Sequence, residues 1–315
     1  DEEIDAPLGY TVSKTVNGID LNIGKLNKPS DIYVSDDYDV YISDTENNRI
    51  IILNSEFKLK RIVDSIIING EKSELKMPGG LFVDTNNEIY VTQKEMGRVL
   101  RMTSEGNVLD VYEKPASNLL DENFEYLPIK VIKSTNDSVY ILSENYYYGA
   151  LTYNHSGEFV GFYGSNKVDV TVDLLIDYAW KKISTKEQKD KMVRYVPIAY
   201  VSFDIDKDNF VYTCTQITKD SHDEIRKLNA SGKDIINFYT KNMASSIGNF
   251  GDIKTLWLMG KSTDTQFVDI CADDNGIINC LDYSRGRVFQ YDDEGHLLNI
   301  FGGIGDSKDS FFAVS

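Results

Sequence analysis

The sequence predicts an all-β protein built as a propeller of four-stranded blades, and three observations carry that expectation. The segments VYISD, IYVTQ, VYILS, VYTCT and INCLD place Tyr41, Tyr90, Tyr140, Tyr212 and Asn279 at one equivalent position. They recur at a period of roughly fifty residues, stretched to about seventy where the chain carries insertions, which is the range of propellers and solenoids. Each anchor lies in the same frame: an apolar strand, a tight polar turn, the anchor strand, a second turn and two further strands. The turns are rich in Asp, Asn, Ser and Gly, which cap backbone amides or tolerate positive φ.

Taken in order, the first repeat reads DIYVS, VYISD, RIIILN and KLKRIV as strands a to d, within 28–63. The second gives GLFVD, IYVTQ, RVLRMT and VLDVYE within 77–112, and the third KVIKS, VYILS, GALTYN and EFVGFYG within 127–163. The fourth gives VSFDID, FVYTCT, EIRKLN and DIINFYT within 200–239, and the fifth VDICAD, IINCLD, RVFQYD and LLNIFG within 266–301. That makes five complete blades in a single domain over 1–315. YTVSKTVNG at 10–18 stands ahead of the first blade as KLKRIVDSI stands ahead of the second, and reads as an orphan outer strand. DSFFAVS, with its last six residues at 310–315, matches the lead-in to a further strand a. A ring whose last blade takes its outer strand from the N-terminus hides an open edge, so the count implies a six-bladed parent, with a five-bladed ring carrying a spare strand as the alternative.

Composition narrows the function. The 33 basic and 50 acidic residues leave a net charge of −17, which opposes binding to phosphate polyanions and excludes nucleic acid as a natural partner. No stretch approaches the ~20 apolar residues of a membrane span. The three cysteines, Cys214, Cys271 and Cys280, fall on predicted inner strands and read as buried core thiols. The sequence begins DEEIDAPLGY without an initiator Met and reads as a processed or trimmed polypeptide of extracytoplasmic origin, secreted or surface-tethered.

DTENNRIIIL, with Asp44, Asn47, Asn48 and Arg49, resembles the NHL-repeat motif, in which a strand ends in Asp and Asn-x-Arg opens the next. KEMGRVLRM with Arg98, and YSRGRVFQY with Asp282 and Arg287, are weaker copies, while Gly149 and Glu224 stand where the third and fourth repeats lack the Arg. The resemblance covers nearly the whole chain by period and implies an NHL-type β-propeller of the bacterial extracytoplasmic kind. The motif is structural: the Asp accepts turn amides and the Arg reaches carbonyls or a carboxylate of the neighbouring blade. It specifies a fold that hosts many functions.

In a propeller the a–b and c–d turns share one face, and the b–c turns and blade-to-blade connections share the other. All the long segments fall on the second: 114–128, 146–148, 164–197, 217–223 and 241–266. Extended loops on one rim of a rigid scaffold are where binding usually resides. Within the insertion at 165–195, between blades three and four, Val172, Leu175, Ile176, Ala179, Trp180 and Ile183 follow helical spacing. Ser184 and Glu187 form a capping-box pattern for a second helix, so a helical hairpin is expected across the rim. Tyr146, Tyr147, Tyr148, Trp180, His222 and Trp257 on neighbouring loops are the candidate ligand-binding residues, the aromatics as a platform for a sugar or peptide or, alternatively, as filling beneath the lid.

Gluconolactonase-type propellers resemble this fold and hold a divalent cation at the channel mouth. The positions ten residues before each anchor are Asp31, Gly80, Lys130, Ser202 and Asp269. Two carboxylates with a lysine between them make a poor cage for an ion that wants six or more oxygens. His155, His222 and His296 are too scattered for a triad or a histidine metal centre, which also disfavours an NHL-type lyase relying on several histidines. DKDN at 206–209 and DDNG at 273–276 lack EF-hand spacing and read as hairpin turns. No catalytic residue, metal or cofactor is assigned. The expectation is a non-catalytic propeller that binds a protein, peptide or glycan on its loop-rich face; the alternatives are a lactonase-like hydrolase with a channel cation and a structural spacer.

Overall fold

The structure, a computed structural model, describes residues 10, 12–120, 123–154, 156–164, 199–215, 225–236, 265–273 and 275–305, and the backbone of 256–258 and 261–263. The helical hairpin expected at 165–195, the insertion residue Trp180, the loop residue His222 and the segment 310–315 lie outside them.

Blade one is an antiparallel sheet of β1 (Pro29–Val34), β2 (Val40–Asp44), β3 (Arg49–Leu53) and β4 (Leu59–Val63) in sequential order. Blade two repeats it with β7 (Leu81–Val83), β8 (Ile89–Gln93), β9 (Arg98–Met102) and β10 (Val108–Glu113). Blade three has β11 (Pro128–Lys133), β12 (Val139–Ser143), β13 (Ala150–Tyr153) and β14 (Phe159–Tyr163). Blade four shows three strands among the described residues, β15 (Tyr200–Ile205), β16 (Val211–Thr215) and β17 (Ile225–Leu228), with an isolated bridge from Asp234 to Leu228; most of the fourth strand expected there lies outside them. Blade five has β20 (Phe267–Ala272), β21 (Ile278–Asp282), β22 (Arg287–Tyr291) and β23 (Leu297–Gly302). The inner strands β1, β7, β11, β15 and β20 pack each on the next around the axis.

Two hairpins lie in the blade-to-blade connections, where loops were expected. The pair β5 (Ser65–Ile68) and β6 (Glu71–Glu74) turns at Asn69 and Gly70, both at positive φ. Asn-Gly between apolar and polar runs is the strongest short hairpin signal. The pair β18 (Leu256–Leu258) and β19 (Lys261–Thr263) carries Trp257.

The N-terminal segment departs from expectation in the other direction. Residues 12–16 form no ladder, so the orphan strand expected at 10–18 is absent among the described residues. Side chains tie the segment down instead. Tyr10 packs tilted on Phe301, ring centroids 4.5 Å apart, and accepts from Gln290 at 3.0 Å, while Leu21, Ile23 and Leu26 cover Val40, Ile51 and Leu53 of blade one.

The core is a series of blade-to-blade layers. Tyr33, Tyr41, Ile50, Ile52 and Val63 of blade one pack on Leu81, Val83, Ile89, Val91 and Leu100 of blade two, and the pattern repeats around the ring. Strand alternation sends one row of each blade to the previous blade and the other to the next.

The a–b and c–d turns of all five blades share one form. The residue opening each turn, for instance Asp84 or Asn229, bonds its N–H to the carbonyl four residues on and accepts the amide three residues on. The fourth residue of each turn has positive φ, as in a type I turn with a following left-handed residue. Asp206 Oδ1 accepts the amides of Asp208 and Phe210, and Asp273 Oδ1 those of Asn275 and Ile277, so the two acidic turns spend these oxygens on backbone.

The left-handed position is filled by Tyr38 at φ 61° in one turn and by Gly106 at φ 86° in another. Tyr38 is exposed, and a Cβ on Gly106 would lie 2.3 Å from the Ser65 carbonyl oxygen. Tyr38→Gly is therefore expected to stabilise by about 0.5–1 kcal/mol and Gly106→Ala to destabilise by about 1–3 kcal/mol. Urea denaturation of the two variants checks the opposite signs.

Candidate functional site

Each inner strand except β7 opens with a β-bulge, and the residue after the bulge is the candidate mouth residue. The register shifts between Pro29 and Asp31, Pro128 and Lys130, Tyr200 and Ser202, and Phe267 and Asp269. A bulge re-aims the side chain that follows it. Here it brings groups from four blades together.

Lys130 Nζ lies 2.8 Å from Asp31 Oδ1 and 3.1 Å from Asp269 Oδ1, and Ser202 Oγ donates to the same Asp269 oxygen at 2.5 Å. The second oxygen of Asp31 accepts the Leu81 amide at 2.7 Å. Burial opposes the charged form of Lys130, but the two carboxylates outweigh it and hold the ammonium above its ordinary pKa. Blade two contributes Gly80 to the same ring position, and it must stay small: a Cβ there would come within 2.3 Å of the Ile129 carbonyl oxygen.

Asp204 and Cys271 follow on the inner strands β15 and β20. Burial pushes the Asp204 carboxyl up to about 6, against the amides of Ala272 and Ile205 and the Lys130 charge. Its Oδ2 accepts the Ala272 amide at 2.9 Å. Cys214 and Cys280 are buried in the core as expected, whereas Cys271 is exposed, which corrects its reading as a core thiol. It occupies the register position of Tyr33 in blade one. Among the described residues, no three His, Cys, Asp or Glu side chains are grouped to hold a metal ion.

The motif residues hold the blade connections. Arg49 Nε donates to Asp44 Oδ2 at 2.7 Å and Nη1 to the Ile23 carbonyl, so the arginine serves its own blade and lead-in rather than the neighbouring blade. Asn47 joins Asp44 Oδ2 to the Lys25 carbonyl, while Asn48, in the left-handed region, accepts the Met77 amide. In blade two Arg98 Nε donates to Gln93 Oε1 at 2.7 Å, with Gln93 replacing the Asp. In blade five Asp282 accepts the Gln266 amide, and Arg287 opens β22 opposite it. Ser143 does the same work in blade three by accepting the Leu127 amide at 2.9 Å. A buried polar acceptor at the end of strand b was the signal that reached beyond the arginine.

The three consecutive tyrosines separate. Tyr146 is buried, 4.6 Å from Phe124 and 5.5 Å from Phe162 by ring centroid, so it is a base rather than an open platform. Tyr147 is half-buried, and Tyr148 is 54% exposed and packs beside Tyr146 and Phe162. Phe124 and Phe162 were missed as partners because nothing local in the sequence pairs them with the b–c turn. Trp257 is placed by its backbone on β18.

The NHL repeat family model matches residues 26–53, the first three strands of blade one and their lead-in. No curated protein matches. Among solved structures, a Bacteroides caccae protein of unknown function is similar at TM-score 0.50 and 9% identity, over 88% of this chain and 83% of that one. A catalytically inactive virginiamycin B lyase from Staphylococcus aureus with quinupristin gives TM-score 0.49 and 13% identity, over 86% and 69%. A gluconolactonase from Xanthomonas campestris gives 0.48 and 11%, over 86% and 74%. At these identities the likeness concerns the fold alone. Among the described residues no helix is long and apolar enough to cross a membrane.

Lys130→Met leaves two carboxylates facing each other without their cation. It is expected to cost about 2–3 kcal/mol at pH 8, discounted for the partial exposure of Asp269, and to cost less as the pH falls and the Asp31 carboxyl, held above its ordinary range by burial, takes up its proton. Asp204, with a folded pKa above its unfolded one, contributes stability that is complete below about pH 4 and lost as pH rises through about 6. Asp204→Asn is therefore expected to exceed the parent by about 2 kcal/mol at pH 8 and to match it near pH 4. Urea titrations across that range check both.

Proposed function

We propose that this NHL-repeat β-propeller is a non-catalytic binding module that takes a protein, peptide or glycan on its loop-rich face. The observation that carries the reading is the aromatic cluster of blade three, in which Phe124 and buried Tyr146 form a rigid base under exposed Tyr148 and partly exposed Phe162. Aromatic rings on a fixed base give large contact area with little entropy to lose. Trp257, on the hairpin between blades four and five, lies on a connection of the same face and is the second candidate contact. An extracytoplasmic setting, secreted or surface-tethered, is part of the proposal, as is a lid formed by the insertion between blades three and four.

The lactonase-like alternative needs the mouth carboxylates free for a divalent cation, and the Lys130 ammonium stands between them. That favours the rim over the channel as the site of function.

Glycan and peptide arrays followed by calorimetry test the proposal. Tyr148→Ala is expected to weaken the captured ligand about tenfold with an unchanged melting temperature, since Tyr148 is exposed. Binding that Tyr148→Ala and Trp257→Ala both leave intact would move the site elsewhere.

A further inference from the structure

One face of blade one is built like a blade-to-blade interface but has no blade on it. Ile32 on β1 occupies the register position of Leu81, Val131, Phe203 and Ile270. Those four are 4%, 1%, 3% and 3% exposed, and each faces the preceding blade, whereas Ile32 is 62% exposed. Val34 is 53% exposed where its counterpart Val83 is 4%. The next residue of the row, Ile42, is partly exposed, where Val91, Ile141 and Cys280 are buried. Scattered exposed apolar residues need no explanation, but Ile32 and Ile42, at positions buried in every other repeat and with Val34 beside them, do.

The opposite wall of this cleft belongs to blade five. Its row Cys271, Asn279, Gln290 and Asn299 corresponds to Tyr33, Tyr41, Ile52 and Arg61, the row with which blade one covers blade two. The N-terminal segment fills part of the space: Tyr10 rests on Phe301 and Gln290, while Leu21 and Leu26 lie over the outer part of blade one. Beneath them a cavity of about 210 Å³ is lined by Val16, Leu21, Leu26, Ile32, Val40 and Ile42. Its apolar lining is the unfilled remainder of an interface.

We propose that the cleft between blades five and one is a docking surface for strands a to c of a sixth blade of this same polypeptide, with the segment around Tyr10 at its outer side. The occupant follows from continuity with an established interface, since four successive blade pairs bury this row under the same kind of sheet. A second copy of the chain fits less well, because it would have to bring a blade already paired within its own ring.

The test uses Ile32→Asp combined with Val34→Asp, in residues 1–315 and in the polypeptide as its gene encodes it, read by light scattering and thermal unfolding. The expected result is a monomeric 1–315 chain whose melting temperature the double variant leaves unchanged, and a gene-encoded polypeptide in which it drops by about 5 °C or more. A reading frame that ends before three further strands, or an unchanged melting temperature in the gene-encoded polypeptide, overturns the proposal. So does a 1–315 dimer that the variant dissociates, which assigns the face to a second copy. A melting temperature that falls equally in both polypeptides shows the face to be covered already and overturns it as well.

Discussion

The ammonium of Lys130, held between the carboxylates of Asp31 and Asp269, is the interaction on which the axis of the molecule depends. It joins blades one, three and five, and Ser202 adds blade four through the same oxygen of Asp269. Blade two joins through the Leu81 amide on Asp31, and its own ring position is glycine because the backbone of blade three passes where a side chain would lie. Lysine suits the position because one flexible, compact cation reaches two acceptors on different strands. Burial beside this brace pushes the Asp204 carboxyl up, against the charge of the same lysine.

The same logic of converging polar groups operates at the periphery with different residues. Asp44, Gln93, Ser143 and Asp282 end strand b in four blades, all are buried, and each bonds the chain that leads into its blade. Buried polar atoms must be paired, so this position fixes where each lead-in segment crosses the sheet. The arginine of the motif is an accessory to that residue: present with Asp44 and Gln93, dispensable with Ser143. The long connections can therefore vary without disturbing the blades.

The blades were legible in the sequence because an anchor strand, with tyrosine in four blades and Asn279 in the fifth, and two polar turns recur in each, and these are local signals. The mouth residues could be named by counting back from the anchors, yet their convergence could not, since it follows from a bulge that has no signature in Pro29 to Asp31 or Phe267 to Asp269. Tyr146 illustrates the limit in the other direction. Three adjacent tyrosines look alike in sequence, but Phe124 and Phe162 bury the first and leave the third exposed. Cys271 looked like a core residue because its neighbours along β20 are apolar, and its exposure depends on what stands across the cleft. The Asn69–Gly70 hairpin carried a clear local signal and lay outside the repeat frame in which the connections were read.

The brace at the axis and the cleft at the edge are physically linked. Asp31 and Asp269 belong to the two blades that flank the cleft, and the lysine that holds them comes from blade three, across the ring. At the periphery the same two blades are bridged by the N-terminal segment, from Tyr10 on blade five to Leu21 and Leu26 on blade one. Two ties at different radii set the spacing of the cleft walls without requiring anything between them, so an apolar row can stay open while the five blades keep their positions. This separates closure of the ring from the aromatic cluster of blade three, which lies far from the cleft in blade order. A scaffold whose axis is braced by its own side chains is free to place recognition on the rim.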